Sequence, residues 1–191
     1  MVYKAKDERG IPKAALSSNS IPNNPSSTSV LYDLGMLALK LVSIFLIFTA
    51  VFIFLFGIVR YNEPYMDPAI KDGDLVIYYR YKKAGYSPSD IVILEVNGEK
   101  QARRVIANAG DTIDITESGL IINGAVQQEI GIYRATERYE EGVEFPLTVP
   151  EGHVFLLADY RTDATDSRVY GCVSIDKTAG KVITVIRRRS F

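Results

Sequence analysis

A mainly β domain of antiparallel sheets, carried on one N-terminal membrane-spanning helix, is predicted by three observations. One long apolar run, residues 36–59, stands alone in the first third of the chain. Beyond it, short runs rich in β-branched and aromatic residues recur between turn signals as far as the C-terminus. No segment after the apolar run carries a helical stripe longer than two turns. The 191 residues, 47% hydrophobic with formal net charge -1, suit one or so domains and exclude a nucleic-acid binder that works through a strongly basic field. The single cysteine, Cys172, excludes an intramolecular disulfide and reads as a small buried residue in a strand.

Residues 1–35 are polar and rich in Ser, Asn and Pro, with Lys4, Lys6, Arg9 and Lys13 among them. They lack the apolar content to bury a core and read as a disordered tail. From 41 to 59 every residue is apolar or small except Ser43 and Thr49. Counted from Met36 the run is roughly 24 residues, enough for ~30 Å of hydrocarbon at ~1.5 Å per residue. A buried helix of a soluble domain would show a polar face, and this run shows none. A cleavable signal peptide is the competing reading. The length of the run and the absence of a small-x-small site before Arg60 favour a retained span. Basic residues on the N-terminal side, with Lys40 at the mouth of the run, favour a cytoplasmic N-terminus, although Arg60 narrows the contrast. The reading is a single-pass protein of the cell membrane with residues 60–191 outside.

Residues 60–191 form one domain of roughly 130 residues, large enough for its own core. Its opening stretch, 63–76, is expected to be extended around Pro64 and Pro68, to turn at Lys71-Asp72-Gly73-Asp74 and to continue as a strand. Strands are predicted over 75–80, 91–96, 103–106, 112–116, 120–122, 153–157, 169–175 and 181–187. Asn97-Gly98 and Asn123-Gly124 are the strongest hairpin signals between them. Tyr61, Tyr65, Tyr78, Tyr79, Tyr81 and Tyr86 cluster just after the span, as in a face resting on lipid headgroups. Tyrosine is also a common strand residue.

The stretch 63–76 further resembles, position by position, the nucleophile box of type I signal peptidases, Ser-Met-x-Pro-Thr-Leu followed by Gly-Asp. Met66, Pro68, Ile70, Gly73 and Asp74 fit it, while the nucleophile position holds Tyr65. Other boxes follow in the family's order. Ser89-Asp90-Ile91-Val92 is similar to its Gly-Asp-Ile-Val strand, and Arg103-Arg104-Val105-Ile106-Ala107-Asn108-Ala109-Gly110-Asp111 to its Lys-Arg-Val-Ile-Gly-x-Pro-Gly-Asp box. Leu120-Ile121-Ile122-Asn123-Gly124 matches the next hairpin, and residues 149–171 resemble the approach to, and the end of, its Gly-Asp-Asn-Arg box. The resemblance covers roughly residues 36–191. It implies a signal-peptidase-like β-domain of the S26 type.

As the resemblance implies it, the family's mechanism uses a serine alkoxide activated by a neutral lysine to cleave signal peptides outside the membrane. Here the serine falls on Tyr65 and the lysine on Arg103. Burial can bring a lysine down from ~10.4 to act as a base. An arginine starts at ~12.5–13.8 and keeps its proton in proteins. Holding one neutral near pH 7 costs about 8 kcal/mol. Tyr65 sets a bulky phenol where a small hydroxyl must reach a carbonyl, and a phenolate is a poor acylating group. The serine that supports the family's lysine is replaced by Ala164. Its glycine and asparagine neighbours are Ala158 and Tyr160, while Asp159, Arg161, Asp166, Ser167 and Arg168 stay in place as structural support. Asp166 and Arg168 are expected to form an ion pair, with a solvated surface pair as the alternative. No catalytic residue is expected to be functional.

Other chemistry finds no footing. His153, the only histidine, lies in a Pro-Glu-Gly-His turn; Ser89 and Ser167 match scaffold positions; Lys71 sits in a turn. No metal-ligand spacing or phosphate loop appears, so no cofactor, metal or small-molecule substrate is expected. Arg187-Arg188-Arg189 reads as a solvated strand end, with anionic lipid or wall polymer as the competing contact.

Two functions follow from the resemblance. In one, the former cleft, made by Glu63, Pro64, Tyr65, Met66, Gln101, Ala102 and Arg103, binds an extended polypeptide by backbone hydrogen bonds. The chain then resembles the signal-peptidase-like proteins of Gram-positive bacteria that lack the dyad and assist a sortase in assembling covalent pili. That implies a membrane-anchored assembly factor or chaperone whose partner is a pilin subunit, a sortase or both. In the other, the chain is a divergent but active signal peptidase with an unorthodox nucleophile.

Overall fold

The computed structural model of the chain describes residues 27–81, 85–96 and 98–187. The apolar run folds as one helix, α1 (Ser27–Leu55). Within it Val30–Leu55, 26 residues with none of the apolar window buried, is long and apolar enough to cross a membrane. The chain divides into two compact units, 1–46 and 47–191; the described part of the first is the leading portion of α1.

The boundaries differ from those expected. Residues 27–35, assigned to a disordered tail, are helical, because no proline lies between Pro25 and the end of α1, and Leu31, Leu34 and Met36 continue the apolar pattern. Residues 1–26 lie outside the described residues. At the other end 56–59 leave the helix for strand β1 (Phe56–Arg60), drawn into register with β2 (Leu75–Tyr79) from Phe56↔Tyr79 to Arg60↔Leu75. Gly57 permits this pairing, since a Cβ there would stand 2.2 Å from the ring of Tyr78.

The second unit is mainly antiparallel β. A seven-stranded sheet runs β1–β2–β11 (Thr178–Ile186)–β3 (Ile91–Val96)–β4 (Glu99–Asn108)–β9 (His153–Leu157)–β10 (Val173–Ser174), and a four-stranded sheet runs β7 (Ala125–Val126)–β6 (Gly119–Ile122)–β5 (Thr112–Thr116)–β8 (Leu147–Thr148). Central strands β3 (Ile91–Val96) and β4 (Glu99–Asn108) are covered on both faces. Ile93 and Ala102 face a core with Tyr61, Met66, Ile70 and Tyr78, while Val92, Leu94 and Val105 face another with Leu156 and Val173. This is the period-2 alternation of a strand buried on both sides. A third core joins β5 (Thr112–Thr116) and β6 (Gly119–Ile122) to Phe155 and Leu157 of β9 (His153–Leu157). Asn123 and Gly124, at φ 52° and 82°, make the two-residue turn from β6 to β7 (Ala125–Val126), as the sequence predicts. β11 (Thr178–Ile186) lies between β2 and β3, and its Arg187 continuation bonds Asp74. Residues 188 and 189 lie outside the described residues.

Several local expectations are corrected. The proline-flanked 63–70 piece is not extended, although the turn at Lys71–Asp74 and the strand after it form as expected: Asp67 N–H donates to the Pro64 carbonyl and Ile70 N–H to the Met66 carbonyl. That single turn puts Met66 and Ile70 on one side, where both are fully buried. The predicted strand 169–175 is a short helix, α2 (Ser167–Tyr170), followed by a two-residue strand β10 (Val173–Ser174) and a 3-10 turn (Ile175–Lys177). Asp166 caps α2 by accepting from the Arg168 backbone N–H at 3.0 Å, and Gly171 at φ 78° ends it. Capping outweighs the strand preference of Val169 and Tyr170. Cys172 is half-buried and precedes β10 rather than lying in a strand. Tyr61, Tyr78 and Tyr86 are core residues rather than a lipid-facing cluster; Tyr81 is exposed.

Candidate functional site

β4 delivers Arg103 to the middle of the domain, and the 61–65 segment lies against it. Arg103 is fully buried, yet every nitrogen of its guanidinium is bonded. Nη1 donates to Glu63 Oε2 at 3.1 Å and to the Ala102 carbonyl at 2.6 Å. Nη2 donates to Gln101 Oε1 at 3.1 Å and to the Thr165 carbonyl at 2.9 Å, which also accepts from Nε at 3.1 Å. The Tyr65 ring stands over the same guanidinium, with its centroid 5.7 Å from Cζ. Tyr65 is fixed by its backbone, whose carbonyl accepts from Tyr160 N–H at 2.9 Å. Tyr61 donates to Glu63 at 3.4 Å.

A guanidinium offers donors and no lone pair to take a proton from a hydroxyl. Here those donors neutralise one carboxylate and satisfy two backbone carbonyls. Ala164 is buried and its methyl offers no hydrogen bond; the carbonyl of the next residue, Thr165, holds the cation instead. Burial pushes the Tyr61 and Tyr170 phenols well above their usual range, against the pull of the Arg103 charge. The arrangement is a buried cation wrapped by acceptors and aromatic rings.

The residues expected to line a peptide cleft separate into two groups. Met66, Ala102 and Arg103 are closed off from solvent, so they do not wall a groove. Glu63, Pro64, Tyr65 and Gln101 form the accessible rim above them. The physical reason is the one-turn fold at 64–70, which turns Met66 inward, and the guanidinium filling the space beneath Tyr65.

The support residues meet behind this site. Arg104 grips Asp159 through Nε at 2.7 Å and Nη2 at 2.5 Å, and that hydrogen bonding raises its pKa. Asp166, fully buried, accepts from Ala158 N–H at 3.1 Å and from Arg168 Nε and Nη2, each at 2.9 Å. The pair is thus internal rather than a solvated surface pair. Ser167 Oγ accepts from Leu156 N–H at 3.0 Å. Arg161 pairs with Glu129, and burial pulls its guanidinium below the ordinary value. His153 sits apart, its Nδ1 2.9 Å from the Glu151 carbonyl oxygen. Among the described residues no group of three or more His, Cys, Asp or Glu converges as a metal site would require.

Sequence reading did not find the roles of Thr165, Tyr170 and Glu129. Thr165 acts through its carbonyl, which no side-chain pattern reveals. Glu129 lies 32 positions from its partner Arg161, in a stretch without a motif.

A family model described as signal peptidase, peptidase S26, matches residues 34–186. Thylakoidal processing peptidase 1 of Arabidopsis thaliana is 29% identical over 107 residues, covering 56% of this chain and 28% of that protein. The chain thus spans well under a third of the plant relative. Signal peptidase IB of Staphylococcus aureus is 28% identical over 134 residues, covering 61% of this chain and 70% of that protein. The crystal structure of a signal peptidase I from Enterococcus faecalis aligns with 52% of this chain and 97% of its own, at 29% identity and a TM-score of 0.43.

Proposed function

The chain belongs to the signal peptidase family, peptidase S26, and we propose that it is a membrane-anchored, non-catalytic member acting as an assembly factor or chaperone for covalent surface pili. The observation that carries the non-catalytic part is Arg103, at the lysine position, buried and bonded to Glu63 and to the carbonyls of Ala102 and Thr165. A base must accept and return a proton, and this group is committed as a donor on every nitrogen. Tyr65, at the serine position, stacks on the cation rather than opening to a substrate carbonyl. The pilus role rests on the resemblance to dyad-less proteins that work with a sortase. On this reading the N-terminus is cytoplasmic, the β-domain lies outside, and the partner is a pilin subunit, the sortase or both. Polypeptide is held at the rim of Glu63, Pro64, Tyr65 and Gln101.

The test is signal-peptide cleavage by the purified full chain beside a Tyr65→Ser, Arg103→Lys double variant, together with pilus assembly in a deletion strain. The expected results are no cleavage by the unmodified chain, cleavage gained by the double variant, and pili lost on deletion. The relatives carry peptidase names, and cleavage by the unmodified chain would make it a divergent serine endopeptidase instead. Normal pili in the deletion strain would remove the assembly role.

A further inference from the structure

The rings of Phe52, Phe56, Tyr79 and Tyr81 form a ladder from α1 across β1 and β2, with successive centroids 4.7, 5.5 and 6.0 Å apart. Its rungs grow more polar in that order, two phenyl rings and then two phenols. That is the gradient of a membrane–water boundary, where aromatic side chains with a polar tip gather. The length of α1 agrees. Its last stretch, residues 36–55, is about 20 residues and rises ~30 Å at ~1.5 Å each, the depth of the hydrocarbon. Leu55 therefore stands at the level where the headgroups begin.

A cleft of about 970 Å³ opens beside the ladder. One wall is the end of α1, with Ala50, Ile53 and Phe54, and the other carries Arg80, Tyr81 and Asp176. Ile53 and Phe54 are 64% and 80% exposed, an apolar wall without cover from the chain. Asp176, the one carboxylate of the cleft, is itself engaged. Arg80 is exposed and only its Nε is bonded, donating to the Phe56 carbonyl oxygen at 3.1 Å. That bond and the Tyr78 ring, 5.8 Å from Cζ, hold the guanidinium in place. Nη1 and Nη2 have no partner among the described residues. Two parallel donors at the end of an apolar wall are the complement of a phosphodiester joined to a hydrocarbon tail. Water alone would satisfy the arginine but would leave the α1 wall uncovered.

We propose that this cleft holds one phospholipid molecule, its phosphodiester on Nη1 and Nη2 of Arg80 and an acyl chain along Ile53 and Phe54. The proposal rests on α1 being a retained membrane span. It is independent of the Tyr65–Arg103 cluster and of the non-catalytic reading.

The test uses the purified full chain in dodecyl maltoside micelles, titrated with dioleoyl phosphatidylglycerol or with dioleoylglycerol, which has the same tails and no phosphate. Native mass spectrometry counts the lipid retained. One phosphatidylglycerol per chain is expected, bound about tenfold tighter than dioleoylglycerol, the worth of a charge-assisted hydrogen bond. Arg80→Gln is expected to bring phosphatidylglycerol down to the level of dioleoylglycerol. Ala50→Trp, at an exposed position, fills the apolar half of the cleft and is expected to weaken retention of both lipids with the circular dichroism spectrum unchanged. It supplies a test even where Arg80→Gln fails to fold. Equal retention of the two lipids by the unmodified chain overturns the proposal, as does a series of many lipids without a preferred number, the pattern of an unspecific annulus. Retention untouched by Ala50→Trp overturns it by placing the lipid outside the cleft. Retention of neither lipid overturns it by leaving the cleft to a partner's transmembrane helix. A carbonate wash of reconstituted vesicles tests the span by itself: release of the chain removes the anchor reading, whereas a chain that stays in the membrane without a bound lipid removes this proposal alone.

Discussion

The guanidinium of Arg103 folds back on its own strand, Nη1 donating to the Ala102 carbonyl oxygen at 2.6 Å. Val105 exchanges backbone hydrogen bonds with Ser89 and Asp90, so by alternation the Ala102 carbonyl points away from β3. On that side β9 begins pairing only at Arg104. The acceptor that an added peptide strand needs is therefore taken by the side chain next to it. Arg103→Ala would free that carbonyl but strand Glu63 and the Thr165 carbonyl. The expected loss is about 3 kcal/mol, the low end for breaking a buried pair, because Glu63 is partly exposed. Urea unfolding of the full chain in detergent checks it, and a loss below about 1 kcal/mol would mean the guanidinium is not holding the site together.

The fold was legible where the sequence pattern and the packing agree. β3, β5 and β9 occupy the predicted residues, because their apolar runs are bounded by turns and buried on at least one face. It was not legible where a side chain competes with propensity: Asp166 turns a predicted strand into α2, and Met66 with Ile70 folds a proline-flanked segment into a turn that buries those two side chains. The site was legible as a set of positions, since Tyr65, Arg103 and Ala164 do come together. Its closure was not, because it depends on two carbonyls, of Ala102 and Thr165, to which the sequence gives no clue.

Asp166 and Arg168 are both essentially inaccessible, and Asp166 also caps α2 and receives the Ala158 N–H. Asp166→Ala leaves a buried cation without its counter-charge and two backbone donors without an acceptor, so a loss of about 3–5 kcal/mol is expected. Asp166→Asn keeps one acceptor oxygen and with it the cap, but its amide nitrogen cannot accept from the Ala158 N–H and Arg168 Nη2 that Oδ2 serves; it should cost less than Ala while recovering only part of the loss. Chemical denaturation of both variants gives the order. An Ala variant as stable as the Asn variant would show that the pair contributes no more than its shape.

Tyr170 Oη is buried with no hydrogen-bond partner among the described residues. Burial raises the folded pKa of Tyr170, and of Tyr61, above the unfolded value of ~10. The folded state therefore holds phenolic protons that the unfolded chain releases above pH ~10. Stability from these groups is complete below that pH and falls as pH rises through the folded values, by up to about 1.36 kcal/mol per pH unit for each group. Tyr170→Phe removes one of them and loses no hydrogen bond. Stability at pH 7 should change by less than about 0.5 kcal/mol, and the alkaline unfolding midpoint should rise. A midpoint that stays put between pH 9 and 12 would place the ionisation elsewhere.

Gly180 marks the point where β11 passes between β2 and β3. Its φ is 149°, and a Cβ there would lie 2.1 Å from the Tyr79 carbonyl oxygen and 2.8 Å from the carbonyl carbon. Both clashing atoms belong to backbone that cannot swing aside, and the register next to Gly180 is already irregular on the β3 side. Gly180→Ala must separate β11 from β2, which disturbs the sheet on both sides of the strand; a loss of about 3 kcal/mol or more is expected. Gly35→Ala is the control: it lies in α1 with nothing within 4 Å of the added Cβ, and alanine is favoured over glycine in a helix by about 1 kcal/mol. Thermal unfolding should fall sharply for the first and not for the second. Equal melting of the two would mean that β2 and β11 can part at Gly180 without cost, contrary to the close approach their pairing requires.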